Sequence, residues 1–264
     1  MSRHHHIHAF ALQSRVVAVL IAAIAWWISP AAAEDCTVLE DFSASAPDSF
    51  PSGWTAREKT GGGVYKVMRE GDKQFVRAHA AGPKSSGNGV EADRPVKWDI
   101  EKYPILRWRW RPHVFPRGAD EQKGKEDSAL GVYIGFCPPA DKDFCERSMR
   151  GQLGFGDSLS IAKSFVSKGI GSLKYIWSER LPKGLEFERN RKSVKVLQSG
   201  APANRGEWME ERVDVAADYK RRFRATRLLN PAGLAILTDA DDTQSVDGES
   251  QAEGDYADFR ICRD

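Results

Sequence analysis

Three carboxylates, Asp239, Asp241 and Asp242, follow directly on the apolar run Leu234–Thr238. Acidic groups this close repel one another unless cations, a metal or backbone amides compensate. The segment therefore reads in three ways: a metal site, a catalytic acid, or a turn whose Asp side chains bond nearby amides. TDADDT lacks the regular ligand spacing and bidentate Glu of an EF-hand loop, which argues against calcium there. A second acidic pair, Glu126-Asp127, stands beside Lys125 just before the apolar segment LGVYIGF. A glycosidase needs two carboxyl groups about 5–10 Å apart, and Glu126 or Asp127 with Asp239 would supply them if the chain brings them together. Taken alone, Lys125-Glu126-Asp127 is equally a solvated charge run.

Cations and aromatics surround these clusters in the sequence. Side chains alternate along a strand, so Ile105–Arg111 places Leu106, Trp108 and Trp110 on one face and Arg107, Arg109 and Arg111 on the other. In Leu130–Phe136 the apolar face leaves Tyr133 opposite, between Gly131 and Gly135, as a shallow surface on which a ligand could lie. If the two strands are neighbours, Arg109 and Tyr133 line one face. Trp177 shares its face with Tyr175 and reads either as a stacking platform or as core, and Arg180 follows it. The expected ligand-binding set is Arg109, Lys125, Asp127, Tyr133, Trp177, Arg180, Asp239, Asp241 and Asp242, with Asp239 and Asp241 directed at Lys125, Arg109 or Arg180. Polyhydroxylated ligands suit such a set, because hydroxyls take polar contacts while sugar faces stack on rings. No GxSxG, P-loop or Rossmann pattern is present.

The elements that must position these residues are short and punctuated by Gly, Pro, Asn and Asp, as in an all-β domain. Strands are expected over Thr37–Phe42, Val64–Arg69, Gln74–Ala80, Ile105–Arg111, Leu130–Phe136, Leu173–Trp177, Val194–Gln198, Trp208–Asp214, Leu234–Thr238 and Tyr256–Cys262. Val215–Arg224 is the one helix expected, with Asp214 as N-cap and a basic last turn. No repeat or long linker divides the chain.

Residues 1–33 read as a secretory signal peptide: Arg3 and Arg15, an apolar run from Val16 to Ile28, then Ser29-Pro30 and three alanines. The apolar run is shorter than the ~20 residues that span a bilayer, and no lipobox cysteine follows, so no stable membrane anchor is expected after cleavage. Cleavage takes the formal charge from +2 to zero and leaves His79 and His113 as the only histidines. A His-rich metal site has little material, and no net positive charge points to nucleic acid. The remaining 34–264 form a single expected domain. Its four cysteines suit an oxidising compartment. Cys36 opens that domain and Cys262 nearly closes it, while Cys137 and Cys145 bracket a short loop, so the expected pairs are Cys36–Cys262 and Cys137–Cys145.

The order EDF, P-x-GW at Pro51–Trp54, YPILRWRW, an acidic pair before LGVYIGF, YIWSERLPKG, DVAADYKRRF, LTDADDT and DYADFRI resembles the DUF3047 family of exported bacterial proteins of unknown function, over nearly all of Cys36–Cys262. Two departures stand out. A K-x-G-D-D run is replaced by Lys123-Gly124-Lys125-Glu126-Asp127, and an arginine before the VY pair by Gly131. Glu40-Asp41-Phe42 and Asp258-Phe259 are similar to the paired terminal strands of jelly-roll carbohydrate-binding modules, which often hold a structural calcium near those strands. The resemblance implies a two-sheet jelly-roll sandwich, all-β with one short helix, located in the periplasm or secreted. The function expected is non-catalytic binding of a glycan on an exposed sheet face. The alternatives are a structural or interaction protein of the cell envelope and a glycan hydrolase using two acidic residues.

Overall fold

The computed structural model describes residues 35–56, 64–81, 91–123, 127–138, 171–189, 192–201, 206–240, 243 and 250–264. The strands are β1 (Cys36–Glu40), β2 (Thr55–Ala56), β3 (Tyr65–Glu70), β4 (Lys73–Ala81), β5 (Ala92–Pro95), β6 (Ile105–Val114), β7 (Leu130–Phe136), β8 (Gly171–Ser178), β9 (Glu186–Arg189), β10 (Lys192–Ser199), β11 (Met209–Asp214), β12 (Pro231–Leu237) and β13 (Gln251–Cys262). Helix α1 (Val215–Phe223) is the one helix among the described residues. Asp214 caps it by accepting from the Ala217 amide at 2.8 Å, and basic Lys220, Arg221 and Arg222 complete its last turn, where the helix dipole favours cations.

Two sheets form. Sheet A runs β11-β6-β13-β4-β3, with β1 also on β13; sheet B runs β2-β5-β12-β7-β8-β10-β9. Every expected strand is present. β8 and β10 pair in parallel, a departure from the all-antiparallel ladders of a jelly roll. The chain leaves β8 for the edge as β9, then returns between them as β10. Long β13 organises sheet A: its first half lies between β4 and β6, its second between β1 and β6. The change of partner falls at a bulge where Asp258 takes the left-handed φ of 53°.

The sheets share one core, because alternation turns the apolar face of each toward the other. Trp108 and Trp110 of β6 meet Tyr175 and Trp177 of β8, and Trp108 stacks on Phe259 with ring planes 10° apart. Aromatic pairs of this kind contribute about 0.5–1.5 kcal/mol each beyond their buried area. Tyr256 pins the layers: its hydroxyl donates to the Leu237 carbonyl at 2.8 Å and accepts from the Gly131 amide at 3.1 Å. Gly254 marks a close approach of the sheets, since a Cβ there would lie 2.4 Å from a methyl of Leu130.

Cys36 and Cys262 are the first cross-strand pair of the β1–β13 ladder and form a disulfide. Cys137 is also disulfide-bonded. Its expected partner Cys145 lies outside the described residues, as does the expected leader at 1–33. Among the described residues, no helix is long and apolar enough to cross a membrane.

Candidate functional site

With Leu106, Trp108 and Trp110 in the core, alternation puts Arg107, Arg109 and Arg111 on the outer face of sheet A. Each finds a carboxylate from a neighbouring strand. Arg107 pairs with Glu210 of β11, Arg109 with Asp258 at 2.6 Å, and Arg111 with Asp255 of β13 at 2.6 Å. Asp255 has no solvent exposure, yet it faces out from the core into a shell of cations. Arg77 of β4 grips it through two nitrogens at 2.8 and 3.0 Å, and His113 Nε2 lies 2.8 Å away. Burial pushes the Asp255 carboxyl up, but bonds from Arg77, His113 and Arg111 outweigh it and hold the group below the ordinary carboxylate value. The same contact with Asp255 raises Arg77.

Aromatic rings cover this ionic layer. The Arg111 guanidinium lies 4.3 Å from the Trp208 ring centroid and 5.0 Å from that of Phe75, and Arg109 lies 5.1 Å from Trp208. Trp208 itself is half-buried, meets Phe75 edge-on, and donates its indole N–H to Glu70 at 3.3 Å. A groove of about 210 Å³ opens among Glu70, Lys73, Phe75, Arg109 and Trp208. Of the residues expected from sequence, Arg109 belongs to this groove. Trp208 and Asp255 were missed.

Tyr133 does not join it. β6 and β7 belong to different sheets, so the arginine row and Tyr133 face away from each other on opposite outer faces. Nor is Tyr133 an open platform: it is 3% exposed, with Lys174 and Lys192 nitrogens 5.2 and 5.1 Å from its ring centre. A Cβ at Gly131 would lie 3.3 Å from the Leu237 carbonyl oxygen and in ordinary contact with Tyr133 and Lys174, so the position is tight at the backbone of β12.

The two acidic segments do converge. Asp127 is fully buried and accepts from the Thr243 amide at 2.6 Å and the Thr243 hydroxyl at 2.5 Å, while the Asp239 amide donates to the Ser128 carbonyl at 3.0 Å. The chain after β12 is thereby stapled to the chain before β7, a turn-capping use of the Asp127 carboxylate. Asp241, Asp242, Lys125 and Glu126 lie outside the described residues. Arg109 is not directed at Asp239, since it pairs with Asp258 within sheet A. Asp127→Ala leaves the Thr243 amide without its acceptor, while the Thr243 hydroxyl keeps Ser250 at 2.6 Å, and is expected to cost about 1–3 kcal/mol, read as a lower midpoint in urea unfolding. A midpoint within error of the native one would remove the staple.

Trp177 is core, not platform. It is 3% exposed, packs against Trp110 and Phe115, and donates to the Gly200 carbonyl at 2.8 Å. Arg180 is exposed at the end of β8. Near the terminal strands both Glu40 oxygens face donors, from Phe42, Trp54 and Arg94, and Asp258 faces Arg109.

The family model described as a protein of unknown function, DUF3047, matches residues 52–260. The chain belongs to DUF3047. No curated protein matches it. Among solved structures, the glycoside hydrolase domain of Endo-D from Streptococcus pneumoniae R6 is 10% identical at a TM-score of 0.30, covering 79% of this chain and 21% of that one. A structure with xylogluco-oligosaccharide is 12% identical at 0.31, covering 88% and 36%. The xyloglucanase domain of NopAA, a type three effector from Sinorhizobium fredii, in complex with cellobiose, is 7% identical at 0.32, covering 81% and 99%. The DUF3047 chain thus spans about a fifth of the first structure and about a third of the second. At these TM-scores the likeness carries no argument about what the DUF3047 chain does, and its site rests on its own geometry.

Proposed function

We propose that this DUF3047 protein is a non-catalytic glycan-binding protein of the periplasm or the secreted fraction, which holds its ligand on the outer face of sheet A. The observation that carries the reading is the groove in which half-buried Trp208 stands over Arg109 beside Glu70 and Lys73. An indole offers a face for a sugar ring, and guanidinium, ammonium and carboxylate groups beside it take hydroxyls in directed bonds. The groove is smaller than the ~300–1,000 Å³ typical of enclosed ligand sites, which suits one residue of a longer chain lying across an open sheet. The Cys36–Cys262 disulfide fits an oxidising compartment.

The test is a glycan array spanning cell-wall, exopolysaccharide and uronate glycans. Binding is expected to at least one class, and Trp208→Ala is expected to weaken it by about 2 kcal/mol, roughly 30-fold, in a variant whose circular dichroism shows the native fold. Equal binding by the Trp208→Ala variant would move the site elsewhere. No binding at millimolar glycan would favour the envelope scaffold, a reading supported by the structural use of Asp127.

A further inference from the structure

A second cavity lies elsewhere, between α1 and the far end of sheet B, and its volume of about 490 Å³ is in the range of small-molecule sites. Strand register builds its floor. Lys195 of β10 stands opposite both Tyr175 of β8 and Glu186 of β9, giving one transverse row; Leu173, Ser193 and Glu188 give the next. The helix supplies the roof, since Asp218, Arg221 and Arg222 fall at i, i+3 and i+4 on one face.

Within the cleft each carboxylate already has its donors. Asp218 accepts from the Tyr175 hydroxyl at 3.0 Å, from Lys195 at 3.2 Å and from Arg221 at 2.6 Å. Burial raises the Tyr175 hydroxyl well above its ordinary value, as does the Asp218 charge beside it, so this bond keeps its proton on the tyrosine. Glu186 meets Arg221 at 2.7 Å, and Glu188 meets Arg222 at 2.7 Å. Three carboxylates are thus matched by three cations, and a fourth cation is left over.

That fourth cation is Arg224, which lines the cleft, is exposed, and has no ion pair with a described residue. It also sits at the helix C-cap with φ 48°, the left-handed conformation in which a Cβ is unfavourable and glycine is the usual choice. An arginine at that position is disfavoured by the backbone. Arg221 adds donors: its described bonds use Nη2 alone, leaving Nε and Nη1, and its side chain is 53% exposed. Ser193 contributes a hydroxyl to the wall.

We infer that this cleft is a second binding site, for a small anionic ligand whose carboxylate or phosphate group is received by Arg224 and Arg221. Planar guanidinium donors suit both groups. The polar floor, with Ser193 and the outward edge of Lys195, suits a hydroxylated body such as an acidic sugar. This site is independent of the sheet A groove, and neither depends on the other.

The experiment is calorimetric titration of the purified chain at low salt with glucuronate, glucose 6-phosphate and glucose. At least one of the two anions is expected to bind while glucose does not, and which anion binds separates a carboxylate ligand from a phosphate one. Arg224→Gly should keep or raise the melting temperature, because glycine accepts this backbone conformation, while weakening the anion at least tenfold. Trp208→Ala should leave the titration unchanged. Glucose binding as well as the anions, neither anion binding, or an Arg224→Gly variant with native affinity would each overturn the site.

Discussion

Asp255→Ala is expected to destabilise the protein by about 3 kcal/mol, because it strips the shared counter-charge from Arg77 and Arg111, and a hydrogen-bond partner from His113, at a position with no solvent exposure. Removing one partner of a buried ion pair costs about 3–5 kcal/mol, mostly through the charge left behind. The low end applies here: the Arg77 side chain is 33% exposed and recovers some hydration, whereas Arg111, at 10%, does not. Asp255→Asn keeps the shape and one acceptor, so its loss should be smaller. The pH dependence follows from the direction of the shift. The folded Asp255 carboxyl lies below its unfolded value near 3.8, so its contribution is full above that value and is lost as pH falls through the folded value. Urea unfolding of the native chain and the alanine variant should therefore differ most above pH 4 and converge below it. A constant difference at all pH values would mean that packing, not charge, is responsible. A difference under ~0.5 kcal/mol at pH 7 would remove the cluster from the account of stability.

What could be read in the sequence depended on distance along the chain. The faces of β6 and β7 were legible because alternation is local: Arg109 points out and Trp108 in, as the pattern says. Which strand lies next to β6 is not local, and β13 and β11 take both sides of it, so the supposed shared face of Arg109 and Tyr133 does not exist. Asp255 was invisible for the same reason, since its partners Arg77 and Arg111 come 178 and 144 residues earlier. The short strands β2, β5 and β9 escaped because two residues, ADRP and EFER carry no apolar period. The cleft under α1 needed the register of three strands, although Tyr175, Asp218 and Arg221 all stand in the family motifs YIWSERLPKG and DVAADYKRRF. Asp127 and Thr243 meet across 116 residues, a contact that local spacing in KED and TDADDT does not disclose.

Replacing Cys36 and Cys262 together by alanine is expected to have the largest effect on stability. The bond joins residues 226 apart in sequence, and closing so long a loop in the unfolded chain is worth roughly 5 kcal/mol in the chain-entropy model. Local structure gives β1 little to replace it. The strand pairs with β13 alone, and much of its surface is open, with Val38 53% exposed. Its firm anchor is at the far end, where buried Glu40 holds Trp54 and Arg94. Loss of the bond should thus free residues 36–38 first while Glu40 stays docked, and the amides of Thr37 and Val38 should exchange with solvent at rates close to those of an unprotected chain. The link at Cys137, expected to close a much shorter loop, should contribute about 2–3 kcal/mol, so reduction of both bonds should lower the unfolding midpoint by about half as much again as the double alanine variant does. A double variant with the native midpoint, or one in which Val38 remains protected, would mean that the ladder and the Glu40 anchor hold β1 without the covalent tie.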